Sequence, residues 1–144
     1  MHLAGTREFD ASREAVFEAV TDPHLIAEAI PALESFEAVD SDHWRATAKF
    51  SIAPRLRLTF EVLERRRPEH SRLRIHGKSF GGSAVVDTSF DLASAGDGRT
   101  AMHYEGELHL SGLLGRIGEH ALRPLAERQI EKLLAAIEHR ASSE

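Results

Sequence analysis

Nine His, 23 Asp and Glu and 18 Lys and Arg give this 144-residue chain ample side chains for chemistry, so spacing decides what they can do together. His103 and His109 share a strand parity, but six residues separate them, ~20 Å along an extended strand and too far to hold one ion. His24, His120 and His139 fall on helices without the HExxH spacing of a zinc site. Cysteine is absent, which removes thiolate metal centres, iron–sulfur clusters, disulfides and cysteine nucleophiles together. There is no GxSxG, Walker loop or GxGxxG, and Phe80-Gly81-Gly82-Ser83 reads as a turn. The chemistry-bearing residues therefore predict no metal site, no cofactor and no catalytic group. Binding without catalysis becomes the leading expectation.

The elements that would position these residues follow from periodicity. Leu3–Phe9 reads as a first strand, and Ala15, Val16, Ala19 and Val20 form one face of a short helix. Asp22-Pro23 restarts the chain as a helix cap followed by a favoured first helical residue, and Pro31 ends that second short helix. From Glu34 to Leu110 the period changes to two, in runs separated by turn signals such as Arg67-Pro68-Glu69, Gly81-Gly82 and Gly96-Asp97-Gly98. The remainder, about Leu113 to Arg140, predicts one long helix with an apolar stripe and a kink at Pro124. A strand, two short helices, six strands and a long helix make a single 1–144 domain. In it, an antiparallel sheet needs the last helix to cover its apolar face.

The inward positions of the five clear strands carry the candidate site. They are Trp44, Ala46, Ala48, Phe50 and Ile52; Leu56, Leu58, Phe60 and Val62; and Leu73, Ile75 and Gly77. The last two runs contribute Ala84, Val86, Thr88, Phe90 and Leu92, then Met102, Tyr104, Gly106, Leu108 and Leu110. Thr88 and Tyr104 are the polar exceptions, and several of the set are small. Two outcomes are open: a partly empty apolar pocket, or a core filled by Phe50, Phe60 and Phe90. If a pocket forms, its expected lining is Ala48, Phe50, Leu58, Phe60, Ile75, Phe80, Thr88, Phe90, Met102, Tyr104 and Gly106. The helix would add Leu114, Ile117, Ala121 and Leu125. Tyr104 either meets a ligand carbonyl, acts as a weak acid, or is satisfied by a neighbour. Arg7 shares the inward parity of the first strand, which points to a bulge, an exposed strand end or a ligand-facing charge.

Charge is unevenly distributed. Residues 1–44 hold two Arg against ten Asp and Glu, residues 45–78 ten Arg and Lys against three Glu, and residues 79–144 six against ten. The net of -5 argues against nucleic acid as a partner. Arg45, Lys49, Arg57, Arg72 and Arg74 fall at outward positions, where Asp87 and Asp91 offer cross-strand partners. A basic docking face is the alternative use of that charge. No apolar run reaches the ~20 residues of a membrane span, and a cytoplasmic protein is expected.

The element order, with Asp22-Pro23, Leu25, Ile30-Pro31 and Glu34-Ser35-Phe36 after the first helix, resembles the family of the carbon monoxide dehydrogenase G-subunit. That family lies within the START-like superfamily of Bet v 1-type helix-grip (SRPBCC) domains. Gly5, Gly81-Gly82 and Tyr104-Glu105 leading to Gly112 and Leu114 add to the resemblance, which covers essentially the whole chain. It implies an α+β helix-grip fold: a seven-stranded curved antiparallel sheet, two short helices after strand 1, and a C-terminal helix closing a hydrophobic cavity. It also implies service to molybdenum-containing hydroxylases, with a lipid- or quinone-like ligand. Polyketide cyclase or dehydratase chemistry occurs in the same superfamily, and here Arg116, His120 and Arg123 are the groups that would supply it. Ala32 stands where the family usually has Gly. Because the chain stops at Glu144, just past the helix, no autonomous membrane anchor is expected.

Overall fold

The computed structural model describes residues 1–51 and 54–142. Ile52, which ends the expected run from Trp44, and Ala53 of the turn after it lie outside them. The strands are β1 (His2–Phe9), β2 (Leu33–Asp40), β3 (His43–Ala48), β4 (Leu56–Arg66), β5 (His70–Ser79), β6 (Gly82–Gly96) and β7 (Arg99–Gly112). They form one antiparallel sheet in the order β1-β7-β6-β5-β4-β3-β2. The first strand therefore pairs with the last. The helices α1 (Arg13–Val20) and α2 (Pro23–Glu28) carry the chain from one edge of the sheet to the other.

Local chemistry sets these boundaries. The Ser12 hydroxyl accepts from the Ala15 amide at 3.2 Å to start α1, and the Asp22 carboxylate accepts from the His24 amide at 2.9 Å to start α2, with Pro23 in its first turn. The β6–β7 hairpin turns through Gly96, Asp97 and Gly98, all at positive φ. At Gly112, φ is 64°, and a side chain there would strike the Gly81 carbonyl, so only glycine fits where β7 leaves the sheet.

The C-terminal segment departs from expectation. In place of one helix from Leu113, a single 3₁₀ turn spans Leu113–Arg116, Ile117 is extended, and α3 runs from Glu119 to Ser142. Gly112, Gly115 and Gly118 account for the break, because glycine gives up more backbone freedom in a helix than any other residue. Pro124 sits inside α3 near its start. No helix among the described residues is long and apolar enough to cross a membrane.

Packing is uneven along α3. Its C-terminal half buries Leu134, Ile137 and Ala141 in a core with Phe9, Val16, Phe17, Val20, Leu92 and Met102. A second, smaller cluster of Trp44, Ala46 and Phe60 lies on the β3–β4 side, beside Phe36 and Ile26. The first half of α3 has no buried residue, although its stripe at Leu122, Leu125, Ala126 and Ile130 is apolar. What that half-helix covers is the site.

Candidate functional site

Strand register lays the inward side chains out in rows across the sheet. One row runs Leu58, Gly77, Ala84, Leu110; the next runs Phe60, Ile75, Val86, Leu108; a third runs Leu73, Thr88, Gly106, Leu3. The first and third rows are low at Gly77, Ala84 and Gly106, which carry little or no side chain. The first half of α3 spans these rows without filling them. The result is a cavity of about 290 Å³ lined by the three rows apart from Leu73, together with Leu56, Phe50, Ile30 and Met1. Leu114 and Ile117 line it from the 3₁₀ segment, and Leu122, Leu125, Ala126, Gln129 and Ile130 line it from α3. An engineered apolar cavity of ~150 Å³ takes up one benzene, so this space suits a molecule of roughly two rings or a medium-length chain.

Nine of the residues expected to line a pocket do so: Phe50, Leu58, Phe60, Ile75, Thr88, Gly106, Leu114, Ile117 and Leu125. Six do not. Phe90, Tyr104 and Met102 lie on the inward face, in rows nearer the C-terminal half of α3, where the sheet is in contact with packed core. Their strand parity is as expected, but their position along the strand puts them in the filled half. Ala48 is fully buried on β3, one strand beyond Leu56. Ala121 is exposed, since α3 starts only at Glu119 and its first turn directs that position to solvent. Phe80 is 91% exposed at the β5–β6 turn, beside Gly81, whose Cα faces the half-exposed Leu113.

Sequence reasoning misses Leu122, Ala126, Gln129 and Ile130 on α3, and Met1, Leu3 and Ile30 away from it. It carries the helical stripe straight through the break at Gly118, which changes the phase of everything after it. Arg7 is neither bulged nor ligand-facing. β1 pairs with β7 without interruption, and the Arg7 guanidinium donates to Glu131 at 3.1 Å and Glu138 at 3.2 Å, carboxylates two helical turns apart on α3. Tyr104 lies across Gly5, its opposite partner on β1, and a side chain at Gly5 would collide with the Tyr104 hydroxyl.

The cavity wall holds few polar groups. The Thr88 hydroxyl donates to the Leu73 carbonyl at 3.3 Å. Glu107 borders the cavity between Gly106 and Leu108, but its register opposite His2 and Asp87 turns the carboxylate to the other face of the sheet, where an oxygen lies 2.5 Å from His2 Nδ1. The Met1 ammonium donates to the Leu108 carbonyl at 2.7 Å. Arg116, His120 and Arg123 are not among the lining residues, and Arg123 pairs with Glu119 at 3.6 Å. Groups with displaced titration lie elsewhere. Glu34 is held low by the Arg55 hydrogen bond, Asp40 low and His43 high by their mutual contact, and Glu64 low by Arg72 and His70. Perturbed groups gather where acid–base chemistry is performed; here none lines the cavity. Among the described residues, no cluster of His, Asp and Glu is placed to hold a metal ion.

On the opposite face the basic strands meet acidic partners: Arg74 with Asp87 at 2.7 Å, Arg72 with Glu64 at 3.1 Å and Arg45 with Glu37 at 3.7 Å. Asp91 faces His70 at 2.7 Å rather than an arginine. Exposed pairs of this kind add little stability, but they offset much of the positive charge of that face.

The family model for the carbon monoxide dehydrogenase G-subunit (CoxG) matches residues 5–142. Among solved structures, a conserved protein from Geobacillus kaustophilus aligns with a TM-score of 0.88 at 21% identity, covering 99% of this chain and 96% of that one. The Zhui aromatase/cyclase from a Streptomyces species aligns at 0.77 with 15% identity, covering 99% and 93%. A START superfamily protein from Mycobacterium smegmatis aligns at 0.71 with 15% identity, covering 99% and 97%. At these identities the likeness is one of fold. No curated protein matches the sequence.

Proposed function

The chain belongs to the CoxG family, that of the carbon monoxide dehydrogenase G-subunit, and from that premise we propose that it binds a hydrophobic small molecule, lipid- or quinone-like, without transforming it. The observation that carries this reading is the cavity itself: about 290 Å³ between the sheet and the first half of α3, with hydrocarbon on nearly every side. Removal of apolar surface from water drives uptake, contributing about 0.8 kcal/mol for each methylene buried. A space this large is also unfavourable to leave empty, because its lining loses dispersion contacts that a ligand restores. The family's link to a carbon monoxide dehydrogenase supports a molybdenum-containing redox enzyme as the client, with this protein holding or delivering the hydrophobe.

The test is organic extraction of protein purified from a quinone-containing host, followed by mass spectrometry. One hydrophobic molecule per chain is the expected result. Repeated recovery of nothing above the background of an unrelated protein overturns the reading.

A further inference from the structure

A second, much smaller space of about 30 Å³ lies between α2 and the sheet, with Val20, Ile26, Trp44, Val62 and Leu73 in its wall. Among the described residues, Phe60 alone lines both this space and the large cavity. It is the boundary in two directions. Along β4, the inward neighbour on one side, Leu58, lines the cavity, and the one on the other side, Val62, lines the small space. Across the sheet, Phe60 pairs with Ile75 at the cavity and with Trp44 at the small space. Its ring is held firmly: Phe60 is 3% exposed, and the Phe36 ring meets it edge-on with centres 6.0 Å apart. The space behind it has room for about one or two water-sized groups, far less than a phenyl ring, so the ring has nowhere to retreat.

Resting on the reading that this cavity holds a hydrophobe, we propose that Phe60 is the stop that sets the ligand's length. A chain lying along the cavity ends against the Phe60 ring, and the space beyond is closed to it. Each methylene added to a ligand that still fits raises affinity about fourfold. Once the chain meets Phe60, further carbons either stay in water and gain nothing or press on a close-packed wall that yields poorly. The site therefore selects hydrophobes up to a fixed length rather than chains that thread on towards α2.

The test is a series of straight-chain 1-alcohols, titrated in competition with naphthalene into the wild-type protein, Phe60→Ala and Phe60→Leu. For the wild type, affinity is expected to climb with chain length and then level off. In Phe60→Ala the void left by the ring opens onto both spaces, and the plateau moves out by roughly two to four carbons. Phe60→Leu, the milder change, moves it less and in the same direction; it decides alone if the alanine variant does not fold by its melting curve. Adding Val62→Phe to Phe60→Ala refills the joined space from the α2 side and brings the plateau back. A plateau at the wild-type length in the folded variants, or no plateau in the wild type, overturns the stop and leaves the cavity reading standing. A shift that Val62→Phe fails to reverse overturns the boundary between the two spaces. If neither naphthalene nor any alcohol binds the wild-type protein, the cavity reading itself falls, and the stop with it.

Discussion

Gly106→Leu is expected to lower naphthalene affinity at least tenfold while leaving the protein folded. Gly106 lies at the floor of the cavity, and a Cβ there would meet only Thr88 Cγ2 at 3.8 Å and the Asp87 carbonyl at 3.9 Å, ordinary contact distances. The rest of a leucine side chain then has the cavity to enter, so it takes the volume a ligand would use. Replacing a strand glycine also removes an entropic penalty of about 0.5–1 kcal/mol, so thermal stability should hold or rise. Calorimetric titration and a melting curve read both effects. Retained affinity in this variant would place the binding site elsewhere. Ala48 makes the contrast: it is fully buried but lines no cavity, so Ala48→Leu should overpack its surroundings at about 1–3 kcal/mol.

The second large effect belongs to the other half of the molecule. Phe17, on α1, is fully buried in the core formed with the C-terminal half of α3, and the Arg67 guanidinium carbon lies 5.3 Å from its ring centre. Phe17→Ala should destabilise the protein by about 3–5 kcal/mol, through lost transfer energy and the void left behind. For a domain of this size that corresponds to a fall in Tm of roughly 6–20 °C. Naphthalene affinity, measured well below the transition, should stay near wild type, because Phe17 is not among the lining residues. A mutation that leaves stability intact would show that the end of α3 is not held as described. One that unfolds the helix and removes binding together would show that the two halves are not independent.

These expectations depend on a distinction that periodicity carries only in part. Alternation assigns Leu58, Ile75, Thr88 and Gly106 to the inward face, and the sheet keeps them there. The same alternation assigns Phe90, Met102 and Tyr104 to that face with equal force, because period two fixes which side a residue faces and says nothing of its place along the strand. Place is set by pairing partners and by where α3 comes down. Phe90 pairs with Tyr104, and Tyr104 with Gly5, in a row beside packed core, while Thr88 pairs with Gly106 in the row that remains open.

Asp22-Pro23 marks the start of α2 because a cap is a local interaction between neighbouring residues. Phe17 is not evident in α1 because an apolar face drawn through Ala15 and Val16 is narrower than the surface α3 covers. Gln129 is hidden because a glutamine in a helical stripe looks like solvent-facing polarity until the register of α3 is known. That register depends on where the 3₁₀ turn gives way, and three glycines at 112, 115 and 118 are the local signal for it.

The central claim, that a hydrophobe sits between the sheet and the first half of α3, is tested most directly by methyl NMR of leucine-labelled protein titrated with naphthalene. Binding there gives saturable shifts for Leu58, Leu108, Leu110, Leu122 and Leu125, which line the cavity, with Leu25, Leu92 and Leu134 in the packed core nearly still. The opposite pattern, or no saturable shift at any of these methyls, would contradict it.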